Sequence, residues 1–573
     1  MMYKGNPVSE GIAVGETFHY IPFVPTIVPG KLVHGKTDTA LQKYETARAA
    51  AKAELETVVG NLSRNDSQKA KIFQAHLDIL FDAVMGGEIR DEICTQHSAP
   101  DWAIEKTYEK YICCIGQSGD QLIRERTADL RDVKNRLLRC MQGLPEQNLS
   151  TLERPIILVT HDLLPSDTAT LDRERVLAIV TEVGGSTSHS AIIARSYKIP
   201  ALLGMENAMA LLPSGKTIIV DAVEGQVITS PSAEEIAFYE REKTEFAVKI
   251  EKVRTYLTAQ PVTADGIAVK VELNIESADA QELEGGRYTD GVGLFRTEFL
   301  YMGKDRLPTE EEQLAVYKKV LTEFGRRPVV IRTLDIGGDK KLECLNLPQE
   351  ENPSLGNRAL RLCLQKPEIF LTQLRACLRA SVYGNLWLMF PMISSMDDIH
   401  RAKDMLESAK ARLDKQGFAY SPDIKIGIMV EIPSIALIAD MAAKEVDFAS
   451  IGTNDLTQYA TAVDRMNPAV HEYYQPYHPA LFRLIGYVAE QFEKYNKPVG
   501  VCGELAGDKL GASVLIGLGI RRLSMGSASI AQTKKLICHL TLEKAHILAE
   551  AGRMLPNSEA VKFYLQEQLK DIL

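Results

Sequence analysis

The chain has 573 residues, with 66 Lys+Arg against 76 Asp+Glu, for a formal net charge of −10. At roughly 100–200 residues per domain, that length predicts three or four domains, or two smaller ones beside one of barrel size. The 45% hydrophobic and 25% charged content excludes a disordered or fibrous chain, and the acidic balance disfavours general nucleic-acid binding. No apolar run approaches the ~20 residues of a spanning helix, and the start MMYKGNPVSEGIAVG lacks a signal peptide's apolar core. Nine scattered cysteines without a CxxC pair fit a reducing cytosol. These features predict a cytoplasmic, multidomain, catalytic protein without membrane insertion or nucleic-acid partner.

In chain order, residues 1–30 hold short β-like pieces broken by glycine and proline, as in GIAVGETFHYIPFVPTIVPG. From about 36 to 143, proline occurs only at Pro100, and stretches such as ADLRDVKNRLLRCMQGL carry apolar residues at three- and four-residue intervals. That period predicts packed amphipathic helices. From 155 to 230 the texture reverts to α/β, with IILVT, VLAIVTE and TIIVDAVEGQVI. The simplest reading is one α/β domain made of residues 1–30 and 145–230, with a helical bundle, 31–144, inserted into it. Residues 231–260 read as one charged helix with Ser232 and Glu235 at capping-box spacing, either a surface helix or a semi-rigid connector.

Residues 261–573 contain eight short apolar runs separated by helical stretches: AVKVELNI, GVGLF, VVIRTL, LWLMFP, IKIGIMVEI, VDFASIG, PVGVCG and IRRLSMG. Eight strands alternating with helices predict a (β/α)₈ TIM-like barrel. The alternative, an open doubly wound sheet, lacks a GxGxxG after a strand. The fold class is thus multidomain α/β. Asn274, Arg296, Arg332, Glu431, Asn454 with Asp455, Cys502 and Ser524 fall at or just past strand ends, on the face where barrel active sites lie.

Two constellations carry chemistry. The first is GGSTSHSAIIAR, Gly184 to Arg195. A strand leads into two glycines, then Ser-Thr-Ser, then His189 at a helix start, where free N–H groups favour a phosphate. His189 is therefore a candidate imidazole nucleophile, although a histidine in a helix's first turn can be purely structural. The second is spread over the barrel. FRTEF supplies Arg296 and Glu298, and RTLDIGGDK supplies Arg332, Asp335 and Lys340. Arginine forks bind phosphate and carboxylate bidentately, so several at one barrel mouth predict a small substrate bearing both anions; each could instead form a surface ion pair. Glu431 and Asp455, on neighbouring strand ends, could hold Mg²⁺ together with substrate oxygens and water, or hydrogen-bond the arginines. Cys502, at the seventh strand end, is either an inert buried thiol or a proton donor.

These strings, with the GIAVG start, IGTNDLTQYATAVDRMNP and VCGELAGD, resemble Enzyme I of the bacterial phosphotransferase system, the phosphoenolpyruvate–protein phosphotransferase family. The resemblance spans essentially the whole chain in the family's order. It implies that His189 is the phosphorylated histidine and that Thr168 supports it. It further implies that Arg296, Arg332, Arg358, Asn454 and Arg465 hold phosphoenolpyruvate, that Glu431 and Asp455 hold Mg²⁺, and that Cys502 protonates the enolate to pyruvate. The inserted helices would dock the phosphocarrier HPr, and the barrel would form a homodimer. A domain movement about 231–260 would bring His189 to the barrel mouth. One stretch departs from the family, ENPSLGNRA, where Ser354 and Asn357 replace two aromatics near Arg358. Pyruvate phosphate dikinase and phosphoenolpyruvate synthase share the histidine and barrel pattern, but they also need a nucleotide-binding domain, for which the chain has no spare length. A non-catalytic regulatory relative is the remaining alternative.

Overall fold

The computed structural model describes residues 2–572 except 22, 24, 26, 34, 63–66, 117–120, 145–148, 150, 151, 153, 164–170, 186, 187, 303, 305, 338–344, 346, 349 and 466. Thr168 and Lys340 lie outside the described residues. The chain divides into two units, Met1–Lys249 and Ile250–Leu573.

In the first unit, β-branched and apolar runs at both ends of the segment build one mixed sheet. Its strands among the described residues are β1 (Met2–Lys4), β2 (Asn6–Ser9), β3 (Ile12–Tyr20), β4 (Ile156–Thr160), β5 (Val176–Thr181), β6 (Ala201–Leu203), β7 (Thr217–Asp221) and β8 (Gln226–Thr229). They lie in the order β1-β8-β7-β3-β4-β5-β6-β2. The central pairs β3–β4, β4–β5 and β5–β6 are parallel. Alternate residues of β4 and β5 enter two separate cores, Ile156, Leu158 and Ile179 on one face and Ile157, Val159, Ala178 and Val180 on the other. Both faces are covered, which is why these strands are apolar throughout rather than alternating.

Between β3 and β4 the chain forms five helices among the described residues: α1 (Thr37–Leu62), α2 (Ser67–Leu80), α3 (Ala83–Cys94), α4 (Pro100–Gly116) and α5 (Gln121–Met141). Their apolar faces meet in a core of their own that includes Tyr44, Leu55, Phe73, Ile89, Ile104, Tyr108 and Leu137. Asp82 caps α3 by accepting from the amides of Val84 and Met85. Helix α6 (His189–Tyr197) follows β5 and packs Ala191 and Ala194 into one of the sheet cores. The helix Ala233–Arg254 begins with Ser232 and Glu235 exchanging backbone and side-chain hydrogen bonds at 2.7 and 3.1 Å.

In the second unit, strands β9 (Lys270–Ile275), β10 (Val292–Arg296), β11 (Pro328–Arg332), β12 (Asn385–Phe390), β13 (Lys425–Val430), β14 (Phe448–Ile451), β15 (Val499–Val501) and β16 (Arg522–Met525) close a parallel barrel, with β16 pairing back onto β9. Closure removes the open-sheet alternative and leaves no edge strand. Leu294, Val330, Trp387, Met389, Met429, Phe448 and Cys502 fill the interior, while the outward faces pack on a continuous shell that includes Phe295, Tyr317, Phe370, Ile485 and Leu515. Register places Arg296 beside Arg332 and Arg332 beside Met389, so the ends of adjacent strands present their polar residues at one level. Among the described residues, no helix is long and apolar enough to cross a membrane.

Candidate active site

The barrel strands end in a buried charge cluster. Arg332, the last residue of β11, donates to Glu298 and lies 3.0 Å from Asp335 Oδ2. Arg358 faces the same Asp335 as a fork, Nε to Oδ1 and Nη2 to Oδ2, each at 3.0 Å. Its Nη2 also lies 3.5 Å from Asp455 Oδ2, and Arg465 reaches Asp455 Oδ1 at 3.7 Å. Glu431, the residue after β13, accepts the Met392 amide at 2.6 Å.

Among the described residues, two buried guanidiniums and the half-buried Arg465 thus meet four buried carboxylates, those of Glu298, Asp335, Glu431 and Asp455, a surplus of one negative charge when all are ionised. Burial opposes the charge of Arg332 and Arg358, yet the facing carboxylates outweigh it and hold both guanidiniums above their ordinary value. Glu431 is pushed the other way: burial first, then Asp455 and Asp335, raise its carboxyl to about 8. Its Oε2 and Asp455 Oδ1 are buried without a hydrogen-bond partner. Two buried carboxylate oxygens without a hydrogen bond, in a cluster with excess negative charge, fit a hard divalent cation. Among the described residues, no three carboxylate, imidazole or thiol groups gather around one point.

Backbone geometry holds the cluster in place. Gly337 has φ 108°, and a Cβ there would lie 2.5 Å from the Asn357 carbonyl oxygen and 2.7 Å from Arg358 Cα, which explains a glycine opposite Arg358. Ala359 and Met392 also have positive φ, 54° and 55°, a costly conformation that collects at functional sites. Met392 thereby aims its amide at Glu431. The Asn357 amide donates to both oxygens of Glu350, at 3.0 and 3.1 Å, and its Nδ2 donates to Gln365 at 2.8 Å.

Beside this cluster lies a cleft of about 590 Å³ lined by Asn274, Glu276, Arg296, Cys502, Glu504, Asp508 and Ser527, among others. Arg296 pairs there with Glu276 at 2.7 Å. Asn274 spans strands β15 and β16, donating to the Cys502 carbonyl at 3.0 Å and accepting from Ser524 Oγ at 2.5 Å. The Asn454 side chain accepts the Glu504 amide at 3.1 Å. Cys502 Sγ sits 3.7 Å from the Ile451 carbonyl, and burial raises its thiol, so it is protonated at neutral pH.

The structure therefore gathers Arg332, Arg358, Glu431, Asp455 and Arg465 into one cluster and places Arg296 and Cys502 in the adjoining cleft. Asp455 pairs with arginines, whereas Glu431 takes a backbone amide. The residues that sequence reasoning did not single out are Tyr459, Met392 and Gln458. Tyr459 Oη accepts from Arg358 at 3.3 Å, and Gln458 holds the Arg465 amide at 3.1 Å. Tyr459 lies four residues after Asp455 in the helix Thr453–Ala460, a spacing that puts both on one face and could have revealed it.

In the first unit, His189 is the first residue of α6, and Ser188 caps the helix by accepting the Ala191 amide at 3.3 Å. Gly184 has φ 109°, and a Cβ there would come 3.2 Å from Ser188 Oγ. Ser190 Oγ donates to Asp162 at 3.4 Å, tying the helix start to the end of β4.

Three family models match the chain in order: PEP-utilising enzyme, N-terminal, at residues 4–126; PEP-utilising enzyme, mobile domain, at 152–225; and PEP-utilising enzyme, PEP-binding domain, at 250–542. By class this is a phosphoenolpyruvate-utilising enzyme. A phosphoenolpyruvate-protein phosphotransferase of Bacillus sp. (strain S) is 42% identical over 563 residues, covering 98% of this chain and 97% of the relative. The protein of that name from Bacillus subtilis (strain 168) is 42% identical over 570 residues, 99% of each. A solution NMR structure of an Enzyme I protein is 35% identical over 43% of this chain and 99% of its own, with a TM-score of 0.40. The chain belongs to the phosphoenolpyruvate–protein phosphotransferase family.

Proposed function

We propose that this chain transfers the phosphoryl group of phosphoenolpyruvate to its own His189 and then to the histidine of the phosphocarrier HPr, releasing pyruvate, as the first step of sugar uptake in the cytoplasm. The observation that carries this reading is the buried cluster of Arg332, Arg358, Glu431 and Asp455 at the barrel's strand ends, inside the segment matched by the PEP-binding domain.

Arg296, Arg332, Arg358, Asn454 and Arg465, with Lys340, hold the phosphate and carboxylate of the substrate; forks and amides at strand ends suit both anions. Glu431 and Asp455 would hold Mg²⁺, whose bound charge neutralises the phosphoryl oxygens. The Nε2 lone pair of His189, a residue that Thr168 supports, attacks phosphorus as the bond to the enolate oxygen breaks. Cys502 Sγ then gives its proton to the enolate carbon, and solvent restores the thiol. The raised Cys502 thiol supports this role, because a donor must hold its proton beforehand. The HPr histidine finally takes the phosphoryl group. Docking of HPr on α1–α5 and a homodimer through the barrel belong to the same reading, supported by family membership.

Pyruvate release tests it. With Mg²⁺ and phosphoenolpyruvate but no acceptor, a burst of one pyruvate per chain is expected, and HPr should convert it to turnover. Steady release without an acceptor would contradict the reading.

A further inference from the structure

The helix Thr453–Ala460 grips Arg358 twice. Asp455 Oδ2 lies 3.5 Å from Nη2, and one turn later Tyr459 Oη lies 3.3 Å from Nη1. The tyrosine hydroxyl also donates to the Ser354 carbonyl at 2.6 Å, and Met392 Sδ is 4.0 Å away. A phenol has a single O–H to give, and Ser354 takes it, so toward Arg358 the oxygen can only accept. One side chain therefore ties together the turn Pro353–Leu355, the Arg358 guanidinium and the segment whose amide holds Glu431.

A guanidinium has five N–H groups. Nε–H and the two on Nη2 face Asp335 and Asp455, and one on Nη1 faces Tyr459. Among the described residues, the second Nη1 N–H meets no acceptor. No residue of the 353–358 segment is aromatic, so ring packing within it does not fix its shape. The segment is held by hydrogen bonds instead, from Tyr459 at Ser354 and from Asn357 to Glu350.

We infer that Tyr459 is a positioning residue for substrate binding: its hydroxyl fixes Arg358 and the Pro353–Leu355 turn in the arrangement that receives the anionic oxygens of phosphoenolpyruvate. The inference rests on the reading of this barrel mouth as the phosphoenolpyruvate site.

Tyr459→Phe removes the hydroxyl and keeps the ring. In the HPr-coupled assay, the KM for phosphoenolpyruvate should rise about tenfold, the scale of one hydrogen bond to a charged group, while kcat changes less than about twofold. Calorimetric titration of phosphoenolpyruvate into the His189→Ala background, with and without Tyr459→Phe, should show the same loss without turnover. An unchanged KM and binding constant would overturn the inference, as would a fall in kcat and Tm together at constant KM. Absence of turnover in the wild-type chain would count against the phosphotransferase reading instead, since it involves no change at Tyr459.

Discussion

Glu431→Gln tests the electrostatics of the mouth. In the folded chain the carboxyl is raised from its ordinary 4.5 to about 8, chiefly by burial and then by Asp455 and Asp335. Below pH 4.5 both folded and unfolded chains hold this proton. Between there and about 8 only the folded chain does, so stability falls as pH rises, and the loss is complete once the folded group has ionised. At roughly 1.36 kcal/mol per pH unit, the whole window amounts to roughly 5 kcal/mol, of which about 3 lies between pH 5.5 and 8.5. Glutamine keeps the shape and the Met392 hydrogen bond but cannot ionise. Urea unfolding in EDTA in a Trp102→Phe background, which leaves Trp387 inside the barrel as the fluorescent reporter, reads the difference. Wild type should lose about 3 kcal/mol more than Glu431→Gln across that interval, and Mg²⁺ should restore the wild type alone at the higher pH. Equal pH slopes in the two proteins would refute the argument.

Four further expectations follow from the same geometry. Gly337→Ala places a Cβ 2.7 Å from Arg358 Cα at φ 108° and should destabilise the barrel by roughly 2–4 kcal/mol, with a higher KM for phosphoenolpyruvate; unfolding and steady-state kinetics measure both. Asp455→Asn removes one of the two carboxylates proposed for Mg²⁺ and a partner of Arg358, so pyruvate release should fall at least a hundredfold and gain nothing from added Mg²⁺, while the far-UV spectrum stays unchanged. Buried Cys502 should resist iodoacetamide at pH 8 while exposed Cys94, Cys113 and Cys114 react, as peptide mapping would show. Cys502→Ala should slow pyruvate formation without preventing substrate binding.

Much of this architecture is legible in the sequence. The eight apolar runs each became a barrel strand, because a strand covered on both faces has no polar alternation to hide it. The Ser232–Glu235 spacing became a formed cap, because capping is local chemistry. The helix reading over 231–260 went too far. The α-helix ends at Arg254 and tightens into a 3₁₀ turn, Thr255–Thr258, where Lys534 Nζ takes the Leu257 carbonyl at 2.8 Å. That partner lies 277 residues away, and no local pattern announces it. The same holds within the site. Arg332 was visible as a charge at a strand end and Arg358 only through the family resemblance, but their sharing of Asp335 depends on tertiary structure. Met392 left no trace at all, since it contributes a backbone amide.

The central claim is that phosphoenolpyruvate phosphorylates His189. Wild-type protein and His189→Ala, incubated in parallel with ³²P-phosphoenolpyruvate and Mg²⁺, decide it. An acid-labile, base-stable label is expected on the wild type alone. Label on both proteins, or on neither while both remain folded, would contradict it.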